Sequence, residues 1–247
     1  MCTIRIAACC ANRKMKSISS LLGLLACFVL SGCEPVNGDN VVSPQAQEAE
    51  NTAIPLGTGF DFYVLALSWS PGYCASEGAN ADKNQCDGPR PYEFIVHGLW
   101  PQFEKGYPSN CDSEFAAQLP NSMINQMLDI MPSYGLIKHE WRKHGRCSGL
   151  SADDYFTVTR AAFSKISSPP SFNGLQETMS VSPASVEKLF QAENKSIPAD
   201  GIAVTCKRNY LRDVRICMTK DLASFRSCPE VDRNSCRSRS VAVAPTR

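Results

Sequence analysis

Apolar residues predict buried strands in the first half of the folded part of the chain. The segment from Phe60 to Trp69 is aromatic and aliphatic with partial alternation, which is typical of a strand within a hydrophobic core. A second strand is expected from Tyr92 to His97, where the chain reaches a glycine. We expect a turn at Gly98 that carries His97 from the core onto an exposed rim.

Helical spacing of apolar residues follows in the middle of the chain. Residues 113–131 repeat apolar positions with a helical period that is interrupted at Pro120, which favours a helix over this stretch. Ser151 followed by Asp154 forms a capping box that starts another helix. A third helix is expected over residues 182–193, which begin with Ser-Pro.

Two further strands are expected near the end of the chain. Gly201 to Lys207 and Arg212 to Met218 have the apolar pattern of paired strands, and the polar residues between them form the turn. Strands and helices therefore segregate instead of alternating regularly, which indicates the α+β class. We expect a single domain with a central, mainly antiparallel sheet that is flanked by helices and stapled by disulfides.

The N-terminal segment has the features of an export signal. Its apolar run from Ile18 to Leu30 is too short to span a bilayer comfortably, and it ends in Leu-Ser-Gly-Cys. This ending resembles a bacterial lipoprotein processing site. It predicts a leader over residues 1–32, starting at Met1 or Met15, and a lipid anchor on Cys33. The alternative is an ordinary signal peptide that is cut a few residues later.

Composition predicts the boundaries that follow the leader. Residues 33–59 are polar and contain proline and glycine but no aromatic residue, which predicts a flexible tether. The folded domain is expected over residues 60–240, and residues 241–247 are expected to form a tail. The export signal places the protein in the periplasm, at the outer membrane facing the periplasm, or outside the cell.

The cysteines are arranged like the disulfide partners of an exported protein. Of 13 cysteines, five lie in the leader or at the expected lipid site. The remaining eight form an even set, which favours four disulfides, and no C-x-x-C pair suggests a zinc cluster. The eight are Cys74, Cys86, Cys111, Cys147, Cys206, Cys217, Cys228 and Cys236.

The net charge excludes one class of nucleic-acid-binding protein. Residues 1–32 hold four of the 25 Lys and Arg residues and none of the 24 Asp and Glu residues, so 21 positive charges remain against 24 negative ones. The rest of the chain is therefore not a basic coat for nucleic acid. Residues 206–247 have ten Lys and Arg against four Asp and Glu, which indicates either a phosphate-steering surface or a solvated basic tail.

All three histidines of the chain lie in two short motifs. Residues 94–102 read FIVHGLWPQ and contain His97, and residues 139–147 read HEWRKHGRC and contain His139 and His144. A lone histidine is often structural. Two motifs that hold every histidine of the chain indicate acid and base chemistry, because histidine titrates near neutral pH.

The second motif differs from the zinc-binding helix of metalloproteases. That helix has two histidines four residues apart, whereas His139 and His144 are five apart and Lys143 occupies the ligand position. Glu140 and His144, at i and i+4, are neighbours on a helix. We therefore expect a carboxylate–histidine pair and no metal site, with a salt-bridged surface helix as the alternative.

Together the two motifs resemble the two active-site segments of the T2 ribonucleases, a family that includes bacterial periplasmic and plant self-incompatibility ribonucleases. Residues 60–74, which end in LSWSPGYC, resemble the first core strand of that family, and the similarity covers roughly residues 60–236. The resemblance also implies how the cysteines pair: Cys111 with Cys147, Cys74 with Cys86, Cys206 with Cys236 and Cys217 with Cys228.

The resemblance further implies roles for the motif residues. His144 would act as general base and His97 as general acid. Glu140 and Lys143 would stabilise the transition state, and His139 would contact phosphate. The residues themselves do not say which histidine is the base.

Three further residues are expected to bind the substrate. Trp100 offers an aromatic face on which a base can stack, unless it is a core tryptophan. Gln102 stands where many members of the family have an acidic residue, which argues against an inherited adenine preference. Tyr107 is expected to line the same pocket.

The implied function is a metal-independent endoribonuclease that needs no cofactor. It would cleave single-stranded RNA with low base specificity through a 2′,3′-cyclic phosphate, leaving 5′-hydroxyl and 3′-phosphate ends. RNA would be its partner, and it would act as a monomer that Cys33 anchors to a membrane. The alternative is a catalytically silent RNA-binding or interaction module. A metal-dependent phosphodiesterase is disfavoured because neither motif contains an aspartate.

Overall fold

The computed structural model of the protein describes residues 53–246. The expected leader over residues 1–32, the expected lipid anchor Cys33 and most of the expected tether lie outside the described residues. Within residues 53–246, no helix has the length and apolar character that a membrane span requires.

A mainly antiparallel sheet forms the centre of the described part of the chain. Its strands are β1 (Phe62–Trp69), β2 (Phe94–Gln102), β3 (Met179–Val181), β4 (Ile202–Lys207), β5 (Tyr210–Met218) and β6 (Val241–Val243). β1 lies between β2 and β5, β5 also pairs with β4, and β3 pairs with β6, all antiparallel. One parallel bridge joins β5 to β6.

Helices flank this sheet, so the α+β prediction is confirmed. The helices of residues 53–246 are α1 (Ser70–Glu77), α2 (Lys83–Cys86), α3 (Asn121–Met127), α4 (Tyr134–Lys143), α5 (Ala152–Ser164), α6 (Pro183–Glu193) and α7 (Pro229–Arg233). α4 and α5 pack on β2, α6 packs on β4, and α1 packs on β5. The described residues belong to one compact unit.

Local sequence signals explain several of these elements. All eight residues of β1 are buried, because the strand has neighbours on both sides and packed side chains on both faces. Ser151 caps α5 and Ser182 caps α6, each accepting a backbone hydrogen bond from three residues later. The helix expected over residues 113–131 is shorter than predicted: α3 begins only after Pro120, which cannot donate a backbone hydrogen bond.

The predicted turn at Gly98 is wrong, because β2 continues beyond it. Ala66 pairs with Gly98 and the next residue of β1, Leu67, pairs with Val96, so His97 has no partner on β1. His97 is thus the extra residue of a β-bulge, a device that bends a strand and redirects a side chain.

The hairpin near the end of the chain is confirmed. β5 begins at Tyr210, two residues before the predicted start, because the turn takes only Arg208 and Asn209. Both residues have left-handed backbone angles, with φ values of 49° and 65°. Two successive left-handed residues match the twist of a tight hairpin.

The predicted domain boundaries are too narrow at both ends. Val241 and Val243 are 1% and 0% exposed and belong to β6, so residues 241–243 are not a tail. A three-residue strand is too short to show a periodic pattern in the sequence. At the other end, the Thr58 backbone N–H donates to the Ser148 carbonyl at 2.8 Å, so packing begins before Phe60.

The four predicted disulfides are all present. They join Cys74 to Cys86, Cys111 to Cys147, Cys206 to Cys236 and Cys217 to Cys228. The second bridge fixes the last residue of the second histidine motif, Cys147. The last two hold the loop that contains α7 against the sheet.

Candidate active site

The residues that the sequence analysis selected as catalytic or substrate-binding surround one cavity of about 300 Å³. They come from β2, from the loop that follows it, and from α4 and its C-terminal end. The eight are His97, Trp100, Gln102, Tyr107, His139, Glu140, Lys143 and His144.

The bulge in β2 brings His97 and Trp100 to the same face of the sheet. Residues three positions apart point to opposite faces of a regular strand. Because His97 is the extra residue of the bulge, it breaks this alternation and lies on the face of Gly98 and Trp100, and the His97 and Trp100 rings lie 5.4 Å apart between centroids. The irregularity of the strand is thus what assembles this side of the cavity.

The second motif is positioned by the end of α4. Ser133 caps the start of the helix by accepting from the Leu136 backbone N–H at 3.2 Å, and the last helical residue is Lys143. His144 follows with φ −121° and ψ −49°, outside the helical region. Its ring lies 5.3 Å from the Trp100 ring, and its buried Nδ1 has no hydrogen-bond partner among residues 53–246.

The expected pairing of Glu140 with His144 is wrong. Trp100 Nε1 donates to Glu140 Oε2 at 2.7 Å, and Glu140 Oε1 lies 3.7 Å from His97 Nε2. The helix ends before His144, so the i and i+4 geometry does not hold for this side chain. The carboxylate lies over Gly98, where any Cβ atom would collide with it.

Asp213 is a site residue that the sequence analysis missed. It lies in β5, is 3% exposed, and its Oδ1 accepts from His97 Nδ1 at 3.2 Å. Its Oδ2 accepts from the Thr205 hydroxyl at 3.2 Å. The one available signal was a carboxylate within a predicted strand, between Arg212 and Arg215.

The two carboxylates make the His97 side of the cavity negative. Burial opposes a charge on His97, but the hydrogen bond and charge of Asp213, with the charge of Glu140, outweigh burial and raise its pKa. Burial raises the pKa of Glu140 to about 7. Burial acts in the same direction on Asp213, yet the charge and hydrogen bond of His97, with nearby arginines, lower its pKa to about 2.

The His144 side has the opposite character. Burial and the positive charge of Lys143 lower the pKa of His144 to about 3. His139 is exposed, and partial desolvation with the same lysine also lowers its pKa. At neutral pH the cavity therefore holds a neutral imidazole, His144, and a second one, His97, whose carboxylate neighbours favour its protonated form.

Arg215 is a second residue that the sequence analysis missed. Its guanidinium carbon lies 5.1 Å from the centre of the Trp100 ring, and it lines the same cavity. Arg215 and Asp213 are two positions apart in β5, so their side chains lie on the same face of the sheet. The basic C-terminal segment thus supplies the cation Arg215 to the cavity, which Glu230 and Asn234 of the same segment also line.

The expected base-binding residues differ in how they face the cavity. Tyr107 is 57% exposed at the rim. Gln102 is buried, and its side-chain amide donates to the Pro101 carbonyl at 3.1 Å. Trp100 is half-buried next to the rings of His97 and His144. Across residues 53–246 there is no group of three or more His, Cys, Asp or Glu residues that is placed to hold a metal ion.

Comparison with known proteins identifies the family. Residues 60–228 match the Ribonuclease T2 family. A ribonuclease from Aeromonas hydrophila is 35% identical over 186 residues, which are 69% of this chain and 77% of that protein. A probable ribonuclease from Haemophilus influenzae is 36% identical over 121 residues, 44% of each chain.

Solved structures agree on the fold. An RNase-related protein from Calystegia sepium is 25% identical, with a TM-score of 0.62, and the match covers 77% of this chain and all of that one. The family match, the bacterial relatives and this fold lead to one conclusion. The chain belongs to the ribonuclease T2 family of RNA-cleaving enzymes, a family with bacterial members.

Proposed function

We propose that the protein cleaves single-stranded RNA by transesterification, without a metal ion or a cofactor. The observation that carries the proposal is the opposite environment of the two imidazoles His97 and His144. His144 lies beside Lys143 and has no carboxylate partner among residues 53–246, whereas His97 lies between Asp213 and Glu140. Neighbouring groups whose pKa values are driven apart are suited to serve as base and acid.

RNA supplies the nucleophile of the reaction. Neutral His144 accepts the proton of the 2′-hydroxyl, and the 2′-oxygen then attacks phosphorus. The bond from phosphorus to the 5′-oxygen breaks, and protonated His97 donates its proton to that oxygen. The products are a 2′,3′-cyclic phosphate and a 5′-hydroxyl, and a slower attack by water converts the cyclic ester into a 3′-phosphate.

Cations around the cavity balance the charge that develops on the phosphate. Lys143 lies on α4 beside the imidazoles and is the cation placed at the reacting phosphate, whereas Arg215 reaches the cavity from β5 and is placed to hold a more distant phosphate. His139, also on α4, offers a hydrogen bond to phosphate. Positioned positive groups of this kind stabilise transferring phosphoryl groups. Glu140 keeps Trp100 in place through its hydrogen bond, so that the indole offers a stacking surface for a base of any identity.

A defined RNA oligonucleotide and a DNA of the same sequence test the proposal. In the presence of excess EDTA, the RNA should yield 5′-hydroxyl and cyclic or 3′-phosphate ends by mass spectrometry, and the DNA should remain intact. His97→Ala and His144→Ala should each lower the rate by about 10²- to 10⁴-fold. A 5′-phosphate end, or loss of activity on chelation, would contradict the mechanism.

A catalytically silent module is the second candidate, since one relative is described only as RNase-related. The acid, the base and the cations expected for catalysis are all present around one cavity in this chain, which favours the enzyme. Binding of the RNA oligonucleotide without any cleavage would favour the silent module.

Export is proposed on the basis of the leader and the cysteines. Four disulfides among residues 53–246 suit an oxidising compartment such as the periplasm. We propose that residues 1–32 are removed and that a lipid on Cys33 anchors a monomeric enzyme through the tether. Membrane fractionation of the full-length wild type and of full-length Cys33→Ser tests this. Only the wild type should sediment with membranes.

A further inference from the structure

Asp213 and His97 come from distant parts of the sheet and meet across β1. They are 116 residues apart in the chain, and β1 separates their strands. On the intervening strand, Ser68 pairs with Asp213 and Ala66 pairs with Gly98, next to His97. Residues that pair directly share a face of the sheet, so these small side chains leave room for the contact.

The Asp213 carboxylate is held on both oxygens. Oδ1 accepts from His97 Nδ1 at 3.2 Å, and Oδ2 accepts from Thr205 Oγ1 at the same distance. Thr205 Oγ1 in turn accepts from the Asp213 backbone N–H at 3.1 Å. A carboxylate that is held in this way fixes the orientation of the imidazole, because Nδ1 must carry the proton and Nε2 is left toward Glu140 and the cavity.

A purely structural ion pair is the competing explanation for Asp213. A buried ion pair contributes little to stability on average, because desolvation of both charges offsets their attraction. His97 is a quarter exposed, and its Nε2 faces the cavity, where Glu140 Oε1 is 3.7 Å away, too far for a hydrogen bond. The geometry thus resembles a base or acid that a third group orients, an arrangement found in catalytic sites.

Several charged or titratable groups surround His97. From β5 these are Asp213 and Arg212, and from α4 and its end they are Glu140, His139 and His144. Tyr73 and Asp82 line a second cavity that His97 also borders. Only Asp213 contacts Nδ1 among the described residues, so it alone can set the tautomer.

We infer that Asp213 is a positioning residue that holds His97 with Nε2 aimed at the leaving 5′-oxygen and keeps its ring in the proton-donating form. The inference rests on the proposed function, in which His97 is the acid. Asp213 itself touches no reacting atom. Its removal should therefore weaken only the step that needs a proton donor.

Two substrates separate this role from a structural one. A dinucleoside monophosphate needs the leaving 5′-oxygen to be protonated, whereas a nucleoside 3′-(4-nitrophenyl phosphate) releases an anion that is stable without a proton. Asp213→Asn should lower kcat on the dinucleotide by about 10- to 100-fold, a part of what a general acid supplies. On the nitrophenyl ester the loss should be less than about threefold, since its departure bypasses general acid catalysis.

Two reference variants calibrate the experiment. His97→Ala should show the same selectivity with a larger loss, and His144→Ala should fail on both substrates because both need the base. Asp213→Asn should also shift the basic limb of the pH–rate profile to lower pH, because His97 loses its negative partner. Thr205→Val, which keeps the carboxylate but removes one of its hydrogen bonds, should leave that limb in place.

The outcomes separate the inference from the proposed function. A wild-type enzyme inactive on both substrates would overturn the proposed function, whereas equal losses by Asp213→Asn on both substrates would overturn only the role of Asp213. Retained turnover of the ester also shows that the variant is folded. If Asp213→Asn does not fold, ¹⁵N NMR of the three histidines of the wild type decides: neutral His97 should carry its proton on Nδ1, and a proton on Nε2 would overturn the inference.

Discussion

The His97 and His144 sides of the cavity use the same side chain in opposite surroundings. Both rings lie near Trp100, at 5.4 and 5.3 Å between centroids. His97 lies between two buried carboxylates that come from β5 and α4, whereas His144 is buried beside Lys143. The pKa is raised on the first side and lowered to about 3 on the second.

The difference shows how one cavity can hold an acid and a base at the same pH. Burial acts in the same direction on both rings, because it disfavours the charged form of each. The charged neighbours decide the outcome, and those neighbours come from different elements on the two sides. A substitution on one side of the cavity should therefore change one imidazole and leave the other as an internal reference.

The largest effect is expected from Gly98→Ala, which crowds the His97 side. An added Cβ would collide with the Glu140 carboxylate and the Trp100 indole, so both must move. We expect kcat on RNA to fall by about 100-fold or more, the scale of general acid catalysis. Gly135→Ala in α4 is the matched control, because its Cβ would meet only Ser133 Oγ at 3.8 Å. Equal activity of the two variants would contradict the prediction.

The next effect concerns stability on the His144 side. The pKa of His144 is depressed in the folded protein, so the unfolded chain binds a proton that the folded protein does not between about pH 6.5 and 3. Stability is therefore lost as the pH falls through this range. Relative to His144→Gln, the wild type should lose roughly 3 kcal/mol of unfolding free energy between pH 7 and pH 4.

Urea unfolding at several pH values measures this difference. Comparing each variant with the wild type removes the contributions of His97, Glu140 and Asp213, which both proteins share. His139→Gln is the control, because His139 is exposed and should give a smaller difference. If the free energies of unfolding of the wild type and His144→Gln changed with pH in the same way, the prediction would be contradicted. Burial of the neutral His144 ring would then not contribute to the pH dependence of stability.

A smaller effect is expected when the positive charge beside His144 is removed. Lys143 is the second cause, after burial, of the lowered pKa of His144. In Lys143→Gln that pKa should rise, so the acidic limb of the pH–rate profile should move to higher pH while the basic limb stays. The rate should also fall by roughly 10- to 100-fold, since a phosphate contact is lost. Lys138→Gln, from the same helix but outside the cavity, should change neither limb.

The smallest effect is expected for Arg215, which lies between the two sides. Arg215→Met should raise KM for RNA about three- to tenfold and leave kcat nearly unchanged, because one distant phosphate contact is worth about 1 kcal/mol. The dependence of KM on salt should also become weaker by about one charge. Arg239 is exposed and lies outside the cavity, so Arg239→Met should have the same KM and the same salt dependence as the wild type. A loss in kcat alone would place Arg215 in the chemical step.

Features that depend on neighbouring residues in the sequence were predicted correctly, and features that depend on contacts between distant residues were not. β1, the β4–β5 hairpin and the starts of α5 and α6 were predictable, because periodicity, turn residues and caps act over a few residues. The turn at Gly98 and the Glu140–His144 pair were not. A bulge depends on how β2 pairs with β1, and the end of α4 depends on packing around His144.

The sequence by itself determined the family, the α+β class, the eight cysteines of the disulfides and the two motifs that hold every histidine. Tertiary structure alone decided that Asp213 reaches His97, that Glu140 lies against Trp100 and that Arg215 enters the cavity. The physical reason is that a pKa depends on burial and on charges within a few ångströms. The strongest of these charges on His97 belongs to Asp213, which is 116 positions away in the chain.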